Sequence, residues 1–295
     1  MKETLKIPTE EVNPQQEGQW TDLWRRFKRN KGAIVGAMIV GIFIFVAISG
    51  SLISPYGSDE GSLEERLAPP SKKHLLGTDD IGRDVLSRII GGAWISLEIM
   101  LVSVIIALVI GAILGLLAGY FGGWIDHVVM RIMDIMLAFP SIFLAIAIIA
   151  VLGTGLFNVM LASGLYSVPQ FARIVRASVL YLKEREFVEA ARAAGESNSA
   201  IIFVHILPNA LAPLIIQTTL RMATTLLTAS GLSFLGLGVQ PPSPEWGAML
   251  ANGRTYIMMA PHVATFPGLA IMLVAIGFNL LGDGLRDSLD PRLKD

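Results

Sequence analysis

Residues Ser96–Ala118 read SLEIMLVSVIIALVIGAILGLLA and contain one charged residue, Glu98. A run of this length is sufficient to cross the hydrocarbon core of a bilayer. It must be helical, because lipid offers no partners to backbone N–H and C=O groups. Gly111 and Gly115 within the run, and Gly119 just beyond it, recur every four residues. This spacing lets two helices approach closely, so the stretch predicts a transmembrane helix that packs against another.

The rest of the chain has a similar character. Its residues are 53% hydrophobic and 16% charged, whereas a soluble domain carries about 25% charged residues. The absence of cysteine excludes disulfides and thiolate chemistry, and the net charge of −1 gives no reason to expect a nucleic-acid partner. We predict an all-α integral membrane protein with six transmembrane helices. They are Ala33–Ile53, Ser96–Ala118, Ile135–Leu152, Leu156–Phe171, Leu211–Leu237 and Val263–Leu281.

The distribution of lysine and arginine predicts the orientation. Sixteen of these residues lie in the N-terminus, in residues 121–134 and 172–210 and in the C-terminal tail, against six in residues 54–95 and 238–262. By the positive-inside rule the first group of segments is cytoplasmic, and both termini are expected there. The predicted organisation is a cytoplasmic N-terminus (1–32), a first transmembrane helix (33–53), an extracytoplasmic loop (54–95), a five-helix core (96–282) containing a cytoplasmic loop (183–208), and a cytoplasmic tail (283–295).

The N-terminal region carries an amphipathic pattern just before the first hydrophobic run. Trp20, Trp24 and Phe27 recur at i, i+4 and i+7, and four basic residues lie largely off that face: Arg25, Arg26, Lys28 and Arg29. This pattern predicts a short helix that lies in the cytoplasmic interface and contacts membrane lipids. The alternative is a plain positively charged flank that precedes the span.

The cytoplasmic loop has apolar residues at i, i+3, i+4 and i+7, a spacing that predicts one apolar stripe along a short helix. The stripe consists of Phe187, Ala190, Ala191 and Ala194. Arg185, Glu189 and Arg192 are close enough in sequence to pair with one another on the polar side. Gly195 follows where a helix end needs a positive φ. The small side chains would let the groove of a partner approach the backbone closely.

The residues after Gly195 predict a second short helix and the entry to the next span. Asn198 or Ser199 is expected to cap this helix, and Pro208 to lie in the first turn of the following span. The loop is therefore expected to form a helix, a sharp turn and a second helix across the cytoplasmic face. A passive connector is the alternative, although connectors are usually shorter and carry no apolar stripe.

The loop resembles the EAA loop of ABC-importer permease subunits. The resemblance lies in the Glu-Ala-Ala triplet at 189–191, a glycine after three further residues, and a Leu-Pro pair whose proline is thirteen residues beyond that glycine. In that family the loop is a coupling helix that docks into the ATP-hydrolysing subunit. The resemblance therefore assigns ATPase coupling to Glu189, Ala190, Ala191, Gly195 and Pro208. His205 replaces the isoleucine of the general pattern, as in the peptide-importer branch.

Further motifs are similar to the dipeptide, oligopeptide and nickel branch and identify the chain as a member of it, the second permease subunit. They are LGTDDIGRD at 76–84, GYFGGWID at 119–126, LSFLGLG at 232–238, EWG at 245–247 and GDGLRD at 282–287. Two positions depart from the family pattern. Trp94 replaces a common arginine, and Thr228 replaces a glutamate that many members have. Thr228 is therefore a candidate for the translocation pathway.

The resemblance implies a type I ABC-importer permease fold in the plasma (inner) membrane of a prokaryote. The implied partners are a second homologous permease subunit, two ATP-binding subunits, an extracytoplasmic substrate-binding protein and a peptide substrate. The sequence lacks a phosphate-binding loop of the form GxxxxGK[ST], so ATP and Mg²⁺ are expected on the partner ATPase subunits and no cofactor on this chain. The implied function is import of di- or oligopeptides by alternating access; nickel or another small solute is the alternative substrate.

Arg221 is the only basic residue well inside a hydrophobic run, about 15 Å into the fifth predicted span at 1.5 Å per residue. Because a charge at this depth is costly, the side chain should face a cavity or a partner. One hypothesis is that Arg221 lines the translocation pathway and meets a peptide carboxylate. The alternatives are an ion pair with an acidic residue of a partner subunit, or an extended side chain that reaches the interface.

Two other function classes fit less well. A secondary transporter would need buried ionisable groups for ion coupling and often has internal repeats, and neither is clear in this sequence. An intramembrane serine hydrolase would have to use Ser233, which lacks the full GxSxG motif and a histidine in mid-span to act as base.

Overall fold

The computed structural model describes residues 19–289, with side chains from Trp24 onward; the predicted contact of the Trp20 side chain lies outside the described residues. The fold is built from α-helices. They are α1 Gln19–Arg29, α2 Lys31–Ile53, α3 Val85–Phe121, α4 Gly123–Ala138, α5 Ser141–Leu152, α6 Leu156–Leu182, α7 Glu186–Ala193, α8 Asn198–Ala200, α9 Leu207–Asn209, α10 Leu211–Phe234, α11 Trp246–Gly253 and α12 His262–Leu289. A π-helical segment, Ile201–Ile206, joins α8 to α9.

Helices α2, α3 and α12 are each long and apolar enough to cross a bilayer. Two bent units also qualify: α4 with α5, bent by 97°, and residues 198–209 with α10, bent by 60°. Helix α6 is 27 residues long but contains Gln170, Arg173 and Arg176, and it does not qualify on composition. The described residues thus provide three to five candidate spans by length and composition, and the count of six stays a prediction.

Helix α3 begins at Val85 rather than at Ser96, because Asp84 caps it. The Asp84 carboxylate accepts hydrogen bonds from the backbone N–H of Ser87 at 2.8 Å and from the Ser87 hydroxyl at 2.7 Å. Such a cap satisfies backbone donors that the first helical turn leaves free. Part of the segment predicted as an extracytoplasmic loop is therefore helical. At the other end of the chain, α12 continues to Leu289, beyond the predicted end of its span.

The continuous helix predicted over Ile135–Leu152 is wrong. The chain breaks between α4 and α5, where Phe139 is extended, with ψ of 136°. Pro140 is responsible, because proline has no N–H to donate and disfavours helical geometry in the residue before it. A single proline lowers the mean hydropathy of a hydrophobic run only slightly. Hydropathy therefore does not reveal the 97° bend between α4 and α5.

Helix α3 packs against α6 through three glycines: Gly111, Gly115 and Gly119. A Cβ atom added to Gly111 would lie 2.5 Å from Phe171 Cβ, and one added to Gly119 would lie 2.8 Å from Val179 Cβ. The predicted close approach of two helices is confirmed. Residue numbers rise together along the contact, so α3 and α6 run parallel.

The remaining long helices define two ends of the bundle. Gly50 of α2 lies against Ile90 of α3, and Gly36 of α2 lies against Leu281 of α12, so α2 is antiparallel to both. We call the end that holds the start of α2 and the ends of α3, α6 and α12 the α7 end, and the opposite end the α11 end. At the α7 end the Asn30 side chain donates a hydrogen bond to Asp287 at 2.9 Å.

Buried polar contacts join the segments of the α11 end. The Arg88 side chain, 3% exposed, donates hydrogen bonds to the carbonyl oxygens of Ser58 at 2.8 Å and Pro242 at 3.1 Å. The Glu245 carboxylate caps α11 by accepting from the N–H groups of Gly247 and Ala248. Burial raises the pKa of Glu245, and these bonds oppose that shift. Residues 54–84 and 235–261 thus form one cap over this end of the bundle.

The predicted N-terminal helix is present as α1. Trp24 is 59% exposed and stacks on Phe27 with ring centroids 5.9 Å apart. The Lys28 ammonium lies 5.0 Å from the centre of the Trp24 ring. An exposed aromatic side chain among basic residues is typical of a helix in a membrane interface, and contact with lipid stays a prediction.

Candidate functional site

Helix α7, with the turn and second helix that follow it, is the first candidate site. Its inner side is formed by Val188, which is fully buried, and Ala191, which is 6% exposed. Phe187, Ala190 and Ala194 are exposed on its outer side. The prediction of one stripe is therefore partly wrong. Ala191 lies on the same inner face as Val188. The valine side chain is the larger of the two and packs against the apolar residues of the π-helical segment, so this face is the buried one.

Gly195 ends α7 as predicted. Its φ is +81°, a conformation that glycine adopts at little cost. The N–H of Gly195 donates to Arg192 O and the N–H of Glu196 donates to Ala191 O, each at 3.1 Å. This pair of bonds is a Schellman motif, which satisfies carbonyl groups at the helix end and reverses the chain sharply.

The second half of the loop differs in detail from the prediction. Ser197, rather than Asn198 or Ser199, caps the helix, and its hydroxyl accepts a hydrogen bond from the Ala200 N–H. Pro208 lies in α9 rather than in the first turn of the following span. Because proline cannot donate a backbone hydrogen bond, it sits beside the 60° bend that separates residues 198–209 from α10.

Side-chain contacts attach this segment to the end of α3. The Tyr120 hydroxyl donates to Asn198 Oδ1 at 2.7 Å, and Lys183 Nζ donates to the Gly119 carbonyl at 3.1 Å. Lys183 and Asn198 flank α7, so these contacts attach the chain on either side of α7 to the end of α3. They were not foreseen, because nothing in the spacing of Tyr120 or Lys183 distinguishes them from ordinary interfacial residues.

The ion pairs expected along α7 are not formed within the described part of the chain. Arg185 instead stacks over Tyr181, with the guanidinium carbon 4.3 Å from the ring centre. Glu189 is exposed beside the apolar surface of Phe187, Ala190 and Ala194. The outer face of α7 thus presents three apolar side chains and a carboxylate that are available to a partner.

The second candidate site lies in α10. Arg221 and Thr228 are seven residues apart and so share one face of the helix. Thr228 accepts a hydrogen bond from the Tyr166 hydroxyl of α6 at 3.1 Å. The Arg221 Nε atom is buried and has no hydrogen-bond partner among residues 19–289. The structure therefore places Thr228 at the contact between α6 and α10, with Arg221 on the same face of α10. It also brings in Tyr166, which no pattern in the sequence indicates.

A third polar feature links α4 to α6 near the α7 end. Asp126 and Asp134 of α4 pair with Arg176 and Arg173 of α6, respectively. These four side chains line an open groove of about 550 Å³. The groove lies where α4 meets α6, and its two aspartates are already neutralised by the two arginines that pair with them.

The described residues form a helical bundle whose apolar helices are long enough to cross a membrane, with the exposed helix α7 at one end and Arg221 within α10, an arrangement expected of a membrane transport permease. The chain belongs to the family of binding-protein-dependent transport system inner membrane components, whose model matches residues 111–295. Residues 18–70 match the N-terminal transmembrane domain of oligopeptide transport permease C. The protein is therefore the permease subunit of an ABC importer.

Relatives are similar over almost the whole chain. A dipeptide transport system permease protein, DppC, of Alkalihalophilus pseudofirmus is 51% identical over 93% of this chain and 90% of that protein. A glutathione transport system permease protein, GsiD, of Shigella flexneri serotype 5b is 49% identical over 93% of this chain and 91% of that protein.

The fold is that of type I ABC-importer permeases. A chain of the MetNI methionine ABC transporter in an inward-facing conformation superposes with a TM-score of 0.56 at 22% identity. The match covers 70% of this chain and 98% of the other.

Proposed function

We propose that this chain forms half of the translocation pathway for di- or oligopeptides and is driven by separate ATPase subunits that dock on α7. The observation that carries the proposal is the exposed outer face of α7, whose backbone is held by Gly195 and by contacts to α3. The names of the two relatives, one for dipeptides and one for glutathione, support a peptide rather than nickel. A second homologous permease and an extracytoplasmic binding protein complete the proposed complex.

The proposed mechanism is alternating access. The segment from α7 to α9 leads directly into α10, so a displacement of α7 by an ATPase subunit moves the helix that carries Arg221 and Thr228. Coupling of this kind needs an element that both sites bias between two global states. ATP and Mg²⁺ bind to the ATPase subunits in this scheme. This chain changes conformation in response and forms part of the translocation pathway.

The α7 end is proposed to face the cytoplasm. The segments at this end carry most of the lysine and arginine residues, which is the pattern of cytoplasmic loops. Docking of a cytoplasmic ATPase requires the same orientation. Both termini would then be cytoplasmic, and the protein would span the inner membrane of a prokaryote several times.

Variants of α7 in the reconstituted importer test the coupling proposal. Glu189→Lys and Gly195→Val should each lower peptide-stimulated ATP hydrolysis by about tenfold or more, within the range expected when coupling between two sites is lost. Glu184→Lys makes the same charge change just before α7 and serves as the control. Normal complex assembly together with normal peptide-stimulated ATPase activity in both variants would rule out α7 as the coupling element.

A further inference from the structure

Helices α6 and α10 each carry polar side chains at helical spacing within their apolar sequence. On α6 the spacing is i, i+3 and i+7, and on α10 it is i, i+4 and i+7, so each set lies on one face. We call these two sets, which meet at the hydrogen bond between Tyr166 and Thr228, the polar seam. Its members are Ser163, Tyr166 and Gln170 on α6, and Arg221, Thr225 and Thr228 on α10.

The hydrogen bond from Tyr166 to Thr228 fixes the register of the seam. The two helices run in opposite directions, so positions toward the α7 end lie at higher numbers on α6 and lower numbers on α10. From this bond Gln170 lies about 6 Å along α6 and Arg221 about 10 Å along α10, both toward the α7 end, at 1.5 Å per residue.

Polar atoms of the seam are buried without partners. Ser163 and Thr225 are fully buried, and neither hydroxyl has a hydrogen-bond partner among the described residues. Gln170 Oε1 and Arg221 Nε are likewise buried and unpaired there. Buried polar atoms in native proteins are nearly always hydrogen-bonded. Four unpaired atoms along one seam therefore point to a polar occupant between α6 and α10.

The charge of the seam indicates the chemistry of that occupant. Within residues 19–289 no acidic side chain forms an ion pair with Arg221. A cation inside a membrane segment is normally paired or faces a polar cavity. A carboxylate satisfies this requirement, since guanidinium pairs with it through two parallel hydrogen bonds.

We propose that the polar seam binds the terminal carboxylate and adjoining backbone of a peptide during passage. This inference rests on the proposed function and adds Tyr166, Gln170 and Thr225 to its pathway. Arg221 pairs with the carboxylate. The hydroxyl groups of Thr225 and of Tyr166, which bonds Thr228 in this structure, donate hydrogen bonds to the same carboxylate. The Gln170 amide both donates and accepts, so it satisfies the adjoining peptide N–H and C=O groups. These groups occur in every peptide, and the site is therefore indifferent to peptide side chains.

The test uses the complete importer in proteoliposomes, with binding protein loaded to equal occupancy with a dipeptide or with the same dipeptide carrying a C-terminal amide. Thr225→Val and Tyr166→Phe should reduce uptake of the free acid about tenfold, as expected for one lost hydrogen bond to a charged group, and should change amide uptake much less. Thr225→Ser, which keeps the hydroxyl, should restore uptake. Thr224→Val is the matched control, because Thr224 is exposed on another face of α10.

The outcomes separate this inference from the proposed function. Equal loss of acid and amide uptake in Thr225→Val and Tyr166→Phe would assign the seam a purely structural role and overturn the inference. Unchanged uptake of both substrates in Thr225→Val and Tyr166→Phe would also overturn it. If the wild-type complex imported no peptide with ATP, the proposed function itself would fail.

Discussion

Single residues determine how closely the helices of this permease approach. Three glycines of α3, Gly111, Gly115 and Gly119, lie where any side chain would overlap α6. A Cβ at Gly115 would be 2.5 Å from the Ala172 carbonyl oxygen and 2.8 Å from Val175 Cβ. Both neighbours belong to the same helix, and one of them is backbone. The α3–α6 contact therefore depends on glycine itself and has little capacity to adjust.

Gly115→Ala should destabilise the protein by about 1–3 kcal/mol, the usual cost of inserting an extra methyl group into a packed core. The matched control is Gly41→Ala in α2, where an added Cβ meets nothing within 4 Å. Because alanine has the higher helix propensity, that change should be neutral or stabilising by up to ~1 kcal/mol. Thermal unfolding of the purified complex in detergent measures both. Equal effects of the two substitutions would contradict the assignment of Gly115 to a tight interface.

Helix α7 has one face packed on the bundle and one face exposed. Val188 and Ala191 attach it to the bundle, whereas Phe187, Ala190 and Ala194 face outward. The side chains of the inner face contribute to the stability of this chain. Those of the outer face are free to bind a partner.

Val188→Ala should lower the stability of the chain by roughly 2 kcal/mol, because it removes methyl groups from a buried site. Phe187→Ala should leave stability unchanged and weaken retention of the ATPase subunits. Thermal unfolding and co-purification of those subunits separate the two effects. If Phe187→Ala lowered stability as Val188→Ala does, the outer face would be part of the core.

Local chemistry explains which elements could be predicted. Glycine spacing in α3 and Gly195 after α7 indicate close packing and a turn, and both are confirmed because each depends on glycine alone. The break at Pro140 and the start of α3 at Val85 depend on one proline and one capping aspartate, whose effects hydropathy does not register. The charge of Arg221 inside a hydrophobic run marks α10 as part of the candidate site, but Tyr166 can be found only once α6 and α10 are known to be neighbours.

For the whole molecule, the two ends of the bundle should lie on opposite sides of the membrane. The chain has no cysteine, so single cysteines can report accessibility. Met258 is 92% exposed at the α11 end, and Glu196 is exposed at the α7 end. In intact spheroplasts an impermeant maleimide should label Met258→Cys, but Glu196→Cys only after permeabilisation. The reverse pattern would invert the proposed orientation and remove α7 from the reach of a cytoplasmic ATPase.

The parallel arrangement of α3 and α6 has a consequence for biosynthesis. Two parallel helices cannot form a hairpin, so α4 and α5 must be synthesised and inserted before α6 can pack on the glycines of α3. Until then the glycine face of α3 remains covered by lipid or by the insertion machinery. The close contact between α3 and α6 is thus among the later ones to form, and a nascent chain ending before Leu156 carries α3 without its partner.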